Sequence, residues 1–475
     1  MSGYYDAAVI GAGPAGMAAA SSLAELGLGV ILLDEQFRPG GQIYRNIEKA
    51  SPQSIAFLGE EYGRGGAIAE RFRKSGAAYL AGASVWQVSA EGTLCYSWSG
   101  RSTQIRAGYI IIATGAMERP KPLPGWELPG VMGAGAVNNL AKEADLQPTG
   151  QVVLAGSGPL ILLETTLLLK KGVKIAAILE TTPKIPSPLA LPRLPAAMRR
   201  TDFLLKGLAM VQEIRRSGVP HHKGVVDICC HGREKVEAVS ARAGEKQLNY
   251  PADIVLLHFG VIPSTHIFRQ IGCHMLYNRE QRYWYPQCDD WGRTNHERVF
   301  AAGDGATVTG ALAAEYRGEL AALEVAHCLG ILPAYERDGK AAPLRAALRH
   351  DGYPRPLIDT VFAPGQPAWS VPDHTVLCRC ENVTVGEVRK VIGEGVTEVN
   401  EMKVLTRCGM GPCQGRMCGP GTAEIIAEAT GLSPDRAGLL SIRPPLKPVP
   451  LGEIAAMELA ESSSGPANIF KNQGK

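Results

Sequence analysis

The sequence predicts an α/β fold in which two strand–turn–helix nucleotide-binding units are nested one inside the other, followed by a small helical domain at the C-terminal end. Three observations predict it. An apolar strand running into a glycine turn at Gly11 recurs at Gly156, two further strand-to-glycine junctions at Gly115 and Gly303 bracket that second unit, and five of the 11 cysteines fall between Cys378 and Cys418. At 475 residues the chain exceeds one ordinary core, and roughly 150 residues per domain gives about three domains.

Hydrophobic residues make up 45% of the chain and charged residues 20%, with 49 basic against 46 acidic side chains and a formal net charge of +3. These are the proportions of a packed globular enzyme and exclude a disordered or fibrous chain. The charges form no basic block or stripe of the kind that follows phosphates, so no nucleic-acid partner is expected. The N-terminus enters an apolar strand within a few residues, without a basic leader or cleavage site, which gives a cytoplasmic expectation. The longest apolar stretch, 7–33, is broken by glycines, Pro14 and Glu25, so no transmembrane segment is expected.

The first unit reads as a strand over 6–10, a turn over 11–16 and an alanine-rich helix over 17–26. Gly11 permits the tight turn, Gly13 lets the backbone approach a pyrophosphate, and Gly16 lets the helix pack closely on the strand. The diphosphate then meets the positive end of the helix. A second strand over 29–33 delivers Asp34, 23 residues after Gly11, where a carboxylate accepts hydrogen bonds from ribose hydroxyls. Gly11, Gly13, Pro14, Ala15, Gly16, Asp34 and Glu35 are the candidate contacts of this Rossmann-like site.

The segments 109–115 and 298–305 are each an apolar strand ending in a glycine turn. With these in place the chain resembles the two-dinucleotide-domain flavoproteins of glutathione-reductase type. The resemblance implies FAD, with Asp304 bonding the ribityl chain and a helix beginning near Gly310 directed at the flavin, where its dipole stabilises negative charge. It adds Ala113, Thr114, Gly115, Gly303 and Asp304 to the FAD contacts, and Gly41 and Gln42 through the loop 39–42, which resembles the family loop beside the flavin.

The second unit runs from the strand 151–155 through Gly156-Ser157-Gly158 to an apolar helix ending at Lys171, then a strand over 173–179 closed by Glu180. Its position between the FAD segments matches the inserted NAD-type domain of the same flavoproteins. Ile161 stands where the third glycine belongs, which sets the helix further from the strand. Gly156, Gly158 and Glu180 remain candidates for an adenine nucleotide, NAD or ATP, and Glu180 without a neighbouring arginine favours NAD over NADP. Disulfide reductases of this fold carry a cysteine pair beside the flavin. Residues 40–46 and 130–140 contain no cysteine, which excludes that chemistry.

The C-terminal cysteines stand as Cys378-Arg-Cys380 and Cys408-Gly-Met-Gly-Pro-Cys413-Gln-Gly-Arg-Met-Cys418. Thiolates on short glycine-rich loops suit zinc or an iron–sulfur cluster, and a flavin partner favours iron. This spacing resembles the helical domain of bacterioferritin-associated ferredoxin found fused to flavoprotein dehydrogenases. The resemblance implies a [2Fe-2S] cluster on Cys378, Cys380, Cys413 and Cys418, with Cys408 spare, since that position is commonly apolar in the fused family. Helices are expected over 385–392, begun by Thr384, and over 423–430, begun by Thr422. The other six cysteines read as small buried hydrophobes.

The expected domains are an FAD domain over 1–118 and 251–335, a nucleotide domain over 119–250, a connector over 336–371, the cluster domain over 372–432 and a C-terminal tail over 433–475. In the tail, 443–450 reads as an extended surface segment and 462–475 as disordered. Taken whole, and with the motifs Gly115-Ala-Met-Glu-Arg-Pro120 and Pro124-Gly-Trp-Glu-Leu-Pro-Gly-Val131, the chain resembles the FAD-binding large subunit of the opine oxidase, D-hydroxyproline dehydrogenase and hydrogen cyanide synthase B type. The resemblance implies an electron-relaying FAD/[2Fe-2S] subunit of a hetero-oligomeric enzyme. The substrate would be an opine, D-hydroxyproline or proline-like amine or imino acid oxidised at carbon–nitrogen. That oxidation would occur in an amino-acid-oxidase-like partner subunit, with a small ferredoxin-like subunit, an interfacial FMN and an external electron acceptor as further members. No catalytic proton-transfer residue is assigned: the ten histidines are dispersed, and His221-His222 reads as a loop. Two other readings are a self-contained NAD(P)H-dependent flavin reductase feeding a partner through the cluster, and a scaffold subunit without a redox role.

Overall fold

The computed structural model describes residues 3–185, 187–364 and 371–457. Its first sheet begins with β1 (Tyr4–Ile10), β2 (Val30–Asp34) and β3 (Ala78–Ala81), parallel neighbours. It continues with β4 (Ser84–Val88), β5 (Thr93–Trp98) and β6 (Arg101–Ile112), an antiparallel meander whose last strand runs parallel to β1. The inner strands are continuous apolar runs because both of their faces are covered. The expected helix over 17–26 begins earlier, at Pro14, and ends at Glu25, since proline suits the first turn, where its missing N–H costs nothing. That helix packs on helix Ala311–Cys328 so closely that a side chain at Gly318 would collide with the carbonyl of Ala15.

β7 (Ala116–Glu118) leads out of the first domain into the second sheet. Its strands β8 (Val131–Gly133), β9 (Gln151–Ser157), β10 (Lys174–Glu180) and β11 (His221–Lys223) are followed by a three-stranded side sheet of β12 (Val225–Gly232), β13 (Val236–Ala243) and β14 (Lys246–Pro251). β15 (Ile254–Phe259) then enters between β9 and β8, giving the order β11-β10-β9-β15-β8. The expected return to the first domain at 251 is therefore too early. β15 is buried in the second sheet, and the chain crosses back through β16 (Val261–Pro263), which pairs antiparallel with β7. A hairpin of β17 (Met275–Asn278) and β18 (Tyr283–Pro286) precedes β19 (Val299–Ala301), which completes the first sheet beside β6.

The expected connector 336–371 is largely helical, with helices Ala334–Gly352 and Arg355–Val361. Ala341 is fully buried on the first core, and Leu344 and Leu348 pack beside it at helical spacing, so alanine-rich propensity and an apolar stripe outweigh Pro343. Residues 365–370 of that segment lie outside the described residues.

The C-terminal domain is built from a short ladder of β20 (Val376–Cys378) and β21 (Val383–Thr384) and from helices Val385–Gly393, Val399–Thr406 and Gly419–Thr430. Thr384 caps the first of these through a reciprocal capping box with Glu387. Thr422 does not start the last helix, which begins at Gly419; its hydroxyl instead donates to the Cys418 carbonyl at 3.0 Å. The expected tail is folded over 433–457: Leu440 belongs to the C-terminal core, while Ile442 and Leu446 are buried in the first domain, where the Leu446 amide donates to the Trp86 carbonyl at 2.8 Å. Prolines made this stretch read as solvated, but two apolar side chains find room against the meander. The segment expected to be disordered, 462–475, lies outside the described residues.

Candidate functional site

Three segments distant in sequence meet at the C-terminal edge of the first sheet. Gly11, at φ 103°, leaves β1 so close to the next strand that a Cβ would stand 2.5 Å from the Ala113 carbonyl oxygen. A side chain at Gly16 would collide with the Gly11 carbonyl, one at Gly303 (φ 70°) would stand 2.8 Å from the Ala15 Cβ, and one at Gly305 would stand 3.3 Å from the Gly115 carbonyl. The turns 11–16, 113–115 and 303–305 are thus in mutual contact. Around Gly13 there is room: a Cβ there would meet only the Gly41 Cα, at 3.9 Å. That open space lies against the N-terminus of helix Pro14–Glu25, which no side chain caps. Free amides beside a glycine-lined gap are what a pyrophosphate needs, so the residues present fit a dinucleotide.

Asp34 accepts from the Ala12 amide at 2.5 Å and from the Gln36 amide at 2.6 Å, so it fixes the glycine turn, while burial pushes its carboxyl above the usual range. Asp304 receives the Thr309 and Gly310 amides on Oδ1, at 2.8 and 3.1 Å, and so orients the entry of helix Ala311–Cys328. Its Oδ2 has no partner among the described residues. Glu35 is engaged elsewhere, in an ion pair with Lys447 of the returning C-terminal segment. The side chain of Gln42 accepts from Asn139 at 2.7 Å, and Lys142 donates to the Gln42 and Ile43 carbonyls at 3.3 and 2.9 Å. Sequence reasoning missed Asn139 and Lys142, because a contact between loop 40–46 and helix Ala134–Ala144 leaves no local pattern.

In the second sheet, Gly156 is in register with Glu180 on one side and His258 on the other. Glu180 is 3% exposed, its Oε2 lies 2.7 Å from His221 Nε2 and 3.7 Å from Lys223 Nζ, and its Oε1 has no partner among the described residues. Burial alone would raise the Glu180 carboxyl, but the His221 hydrogen bond and the Lys223 charge outweigh it and hold it low. His221 and His222 are therefore a strand, not a loop, with His222 Nε2 2.6 Å from the Tyr250 hydroxyl. Ile161, in place of the third glycine, is 1% exposed and packs in the core beneath the helix.

The five C-terminal cysteines divide into two groups. Cys378, Cys408 and Cys418 are buried with their sulfurs all within 4.8 Å of one another. Cys380 faces Cys413, and burial pushes the Cys380 thiol up. Within the trio, hydrogen bonds from Cys408 and Cys418 hold the Cys378 thiol down to about 2, and the contact with Cys378 pushes Cys408 up to about 12. A cation bound among these sulfurs would favour the thiolate form. The three buried donors are soft and close, and Cys380 and Cys413 form a second soft pair, which fits a thiolate-held metal or cluster. Of the remaining cysteines, Cys95, Cys230 and Cys273 are buried as expected, while Cys288 and Cys328 are exposed.

The domain carrying these sulfurs is seated on both nucleotide units. Trp126 Nε1 donates to the Val376 carbonyl at 2.7 Å, Arg269 donates to the Leu440 carbonyl, and Arg282 forms a two-point ion pair with Glu424.

Residues 5–327 match the pyridine nucleotide-disulphide oxidoreductase family, and residues 374–458 match the sarcosine oxidase A3 domain. The opine oxidase A-subunit of Agrobacterium tumefaciens is 39% identical over 466 residues, which span 96% of this chain and 92% of that protein. The chain belongs to the opine oxidase A-subunit family. Within this family's wider kinship, hydrogen cyanide synthase subunit HcnB of Pseudomonas aeruginosa is 30% identical over 93% of this chain and 96% of its own length. The crystal structure of L-proline dehydrogenase from P. horikoshii has the same fold, with a TM-score of 0.69 at 20% identity over 95% of this chain and 79% of that one. The chain is thus a flavin-dependent oxidoreductase on a scaffold of FAD-binding type. Among the described residues, no helix is long and apolar enough to cross a membrane.

Proposed function

We propose that this chain is the electron-transferring FAD/[2Fe-2S] subunit of a hetero-oligomeric amine or imino-acid dehydrogenase of the cytoplasm. Its substrate would be an opine, D-hydroxyproline or proline-like compound, oxidised at carbon–nitrogen in a partner subunit. The observation that carries the reading is the union, in one chain, of the glycine-lined gap at Gly13 with the clustered thiols from Cys378 to Cys418, where no cysteine pair stands beside the flavin loop.

Bound FAD would take two electrons from a donor and pass them on singly, and a [2Fe-2S] cluster would carry single electrons onward. The chain's own part is to bind and orient. Gly11, Gly13, Pro14, Ala15 and Gly16 would cradle the pyrophosphate, with Gly41 and Gln42 across the gap. Asp34 would hold the ribose, while Asp304 and the turns Ala113-Thr114-Gly115 and Gly303-Asp304 would border the flavin. Cys378, Cys380, Cys413 and Cys418 would hold the cluster. Gly156, Gly158 and Glu180 would hold an adenine nucleotide in the second unit. Exposed apolar side chains also support a partner, since Ile185, Leu189, Leu191, Met198, Leu205 and Leu208 all lie between 58% and 82% exposed in one short stretch.

The test is anaerobic spectroscopy of natively purified chain, with and without its co-purifying subunits. Flavin and iron–sulfur absorption, bleached by amine or imino-acid substrate only when the partner is present, is the expected result. Bleaching by NADH alone within seconds would establish the self-contained reductase instead, and absence of both chromophores would leave a scaffold.

A further inference from the structure

The edge of the second sheet carries more chemistry than its glycines. Gly156 lies between two buried ionisable side chains in register, Glu180 on β10 and His258 on β15. His258 is 2% exposed, yet it sits at the C-terminal end of its strand, where open α/β sheets bind ligands. A buried histidine there needs partners. Its Nδ1 has one, the Glu118 Oε1 at 2.7 Å, and the other Glu118 oxygen accepts from the Gly135 amide at 3.0 Å. The carboxylate is thereby fixed from two sides and cannot turn away.

The other edge of the ring faces the glycine turn. A Cβ built at Gly158 (φ 123°) would stand 2.9 Å from both Cδ2 and Nε2 of His258, and no other atom lies within 4 Å of that point among the described residues. Gly158 immediately precedes Pro159, the first residue of the 12-residue helix Pro159–Lys170, whose N-terminus no side chain caps. The Nε2 edge therefore borders the position where the second glycine of such a turn lets a phosphate approach. Nε2 has no hydrogen-bond partner among the described residues. On the opposite side of Gly156, the unpartnered and buried Glu180 Oε1 supplies the acceptor that a ribose hydroxyl requires.

We propose that His258, oriented by Glu118, is the phosphate contact of the second nucleotide site. This rests on reading the Gly156–Gly158 turn as nucleotide-binding. When the ring carries both protons, Nδ1 donates to Glu118 and Nε2 donates to a phosphate oxygen, and the carboxylate balances the ring's charge. Glu118 is a positioning residue, because it acts only through the ring. The site takes an adenine nucleotide, with the ribose end at Glu180 and the phosphate end at His258.

The experiment compares adenosine with ADP by titration calorimetry on chain already saturated with FAD, so that the first site is filled. In the wild type ADP binds more tightly than adenosine, and that ratio measures the phosphate contact. His258→Asn, His258→Phe and Glu118→Gln are expected to lower the ratio by about 10-fold or more, the scale of one charge-assisted hydrogen bond, while adenosine affinity is unchanged. Unchanged adenosine binding also shows that each variant is folded at the site. If the ratio is the same in wild type and all variants, the second unit holds a nucleotide but His258 does not read its phosphates. If neither ligand binds the wild type, the nucleotide reading itself fails. Loss of both ligands in the variants assigns His258 a structural role and overturns the proposal.

Discussion

Asn139 donates its amide to the Gln42 side chain at 2.7 Å, and this bond fastens the second unit to the loop that borders the proposed flavin site of the first. Lys142, one turn further along the same helix, donates to the backbone carbonyls of Gln42 and Ile43 and is mostly buried, which pulls its ammonium down to about 8. The two domains are thereby latched across the crevice. Replacing both residues by alanine removes these three bonds without touching the glycine turns, and leaves the Asn46 side chain donating to the Lys142 and Glu143 carbonyls. Amide exchange over 42–46 is expected to accelerate about 10-fold or more, for about 1–1.5 kcal/mol per lost hydrogen bond. Exchange unaltered at those amides would show that the loop is held by its own turns and by the remaining Asn46 and Arg45 contacts.

Glu164 gives a pH dependence whose sign can be worked out. It is 1% exposed on helix Pro159–Lys170, accepts from the Asn138 amide at 2.6 Å, and burial pushes its carboxyl up to about 7 against an ordinary value near 4.5. A carboxyl whose folded value lies above its unfolded one favours the folded state at low pH, and that contribution is lost as pH rises through the folded value. Glu164→Gln is therefore expected to flatten the fall in stability between pH 5 and about 8 and to be at least as stable as the wild type at pH 8. Urea melts at closely spaced pH values check this; an unchanged slope would mean that other groups set it.

Features that come from local spacing were legible in the sequence: both glycine turns, the helix start at Thr384 and the grouping of five cysteines each lie within a short window. What escaped was the product of distant strands meeting. His258 and Glu118 are 140 residues apart, as His221 and Glu180 are 41 apart, and neither pair leaves a periodic signal. The same limit hid β15, whose apolar run suits either sheet, and the return of Leu446 to Trp86, because prolines report only that a segment cannot be helix or central strand. The roles of the five sulfurs were read from family spacing, and their geometry groups Cys408 with Cys378 and Cys418.

That grouping sharpens one substitution test. Cys408 Sγ is 3.3 Å from the Thr422 hydroxyl, so a buried polar neighbour already satisfies it without metal. If the proposed cluster is present on its four proposed ligands, Cys408→Ser is expected to retain iron, and Cys413→Ser to lose it, by iron counting and the visible spectrum of natively purified protein. Iron lost from Cys408→Ser and retained in Cys413→Ser would instead place the buried trio at the cluster.

The seating of the C-terminal domain depends on Arg282 and Glu424, paired through both nitrogens and both oxygens, with side chains 18% and 6% exposed. Arg282 projects from the turn between β17 and β18, and its backbone carbonyl accepts from the buried Arg119 at 2.7 Å. An exposed pair contributes about 0–1 kcal/mol, whereas removing one partner of a buried pair costs about 3–5 kcal/mol because the other charge is stranded. With Arg282 retaining some exposure, Glu424→Leu is expected to cost about 2–4 kcal/mol. The double variant Arg282→Met with Glu424→Leu should recover most of that loss, since it removes both charges and leaves apolar volume in their place. Urea unfolding of the four members of the cycle measures the coupling. A double variant as unstable as the sum of the singles would show that the two side chains act independently.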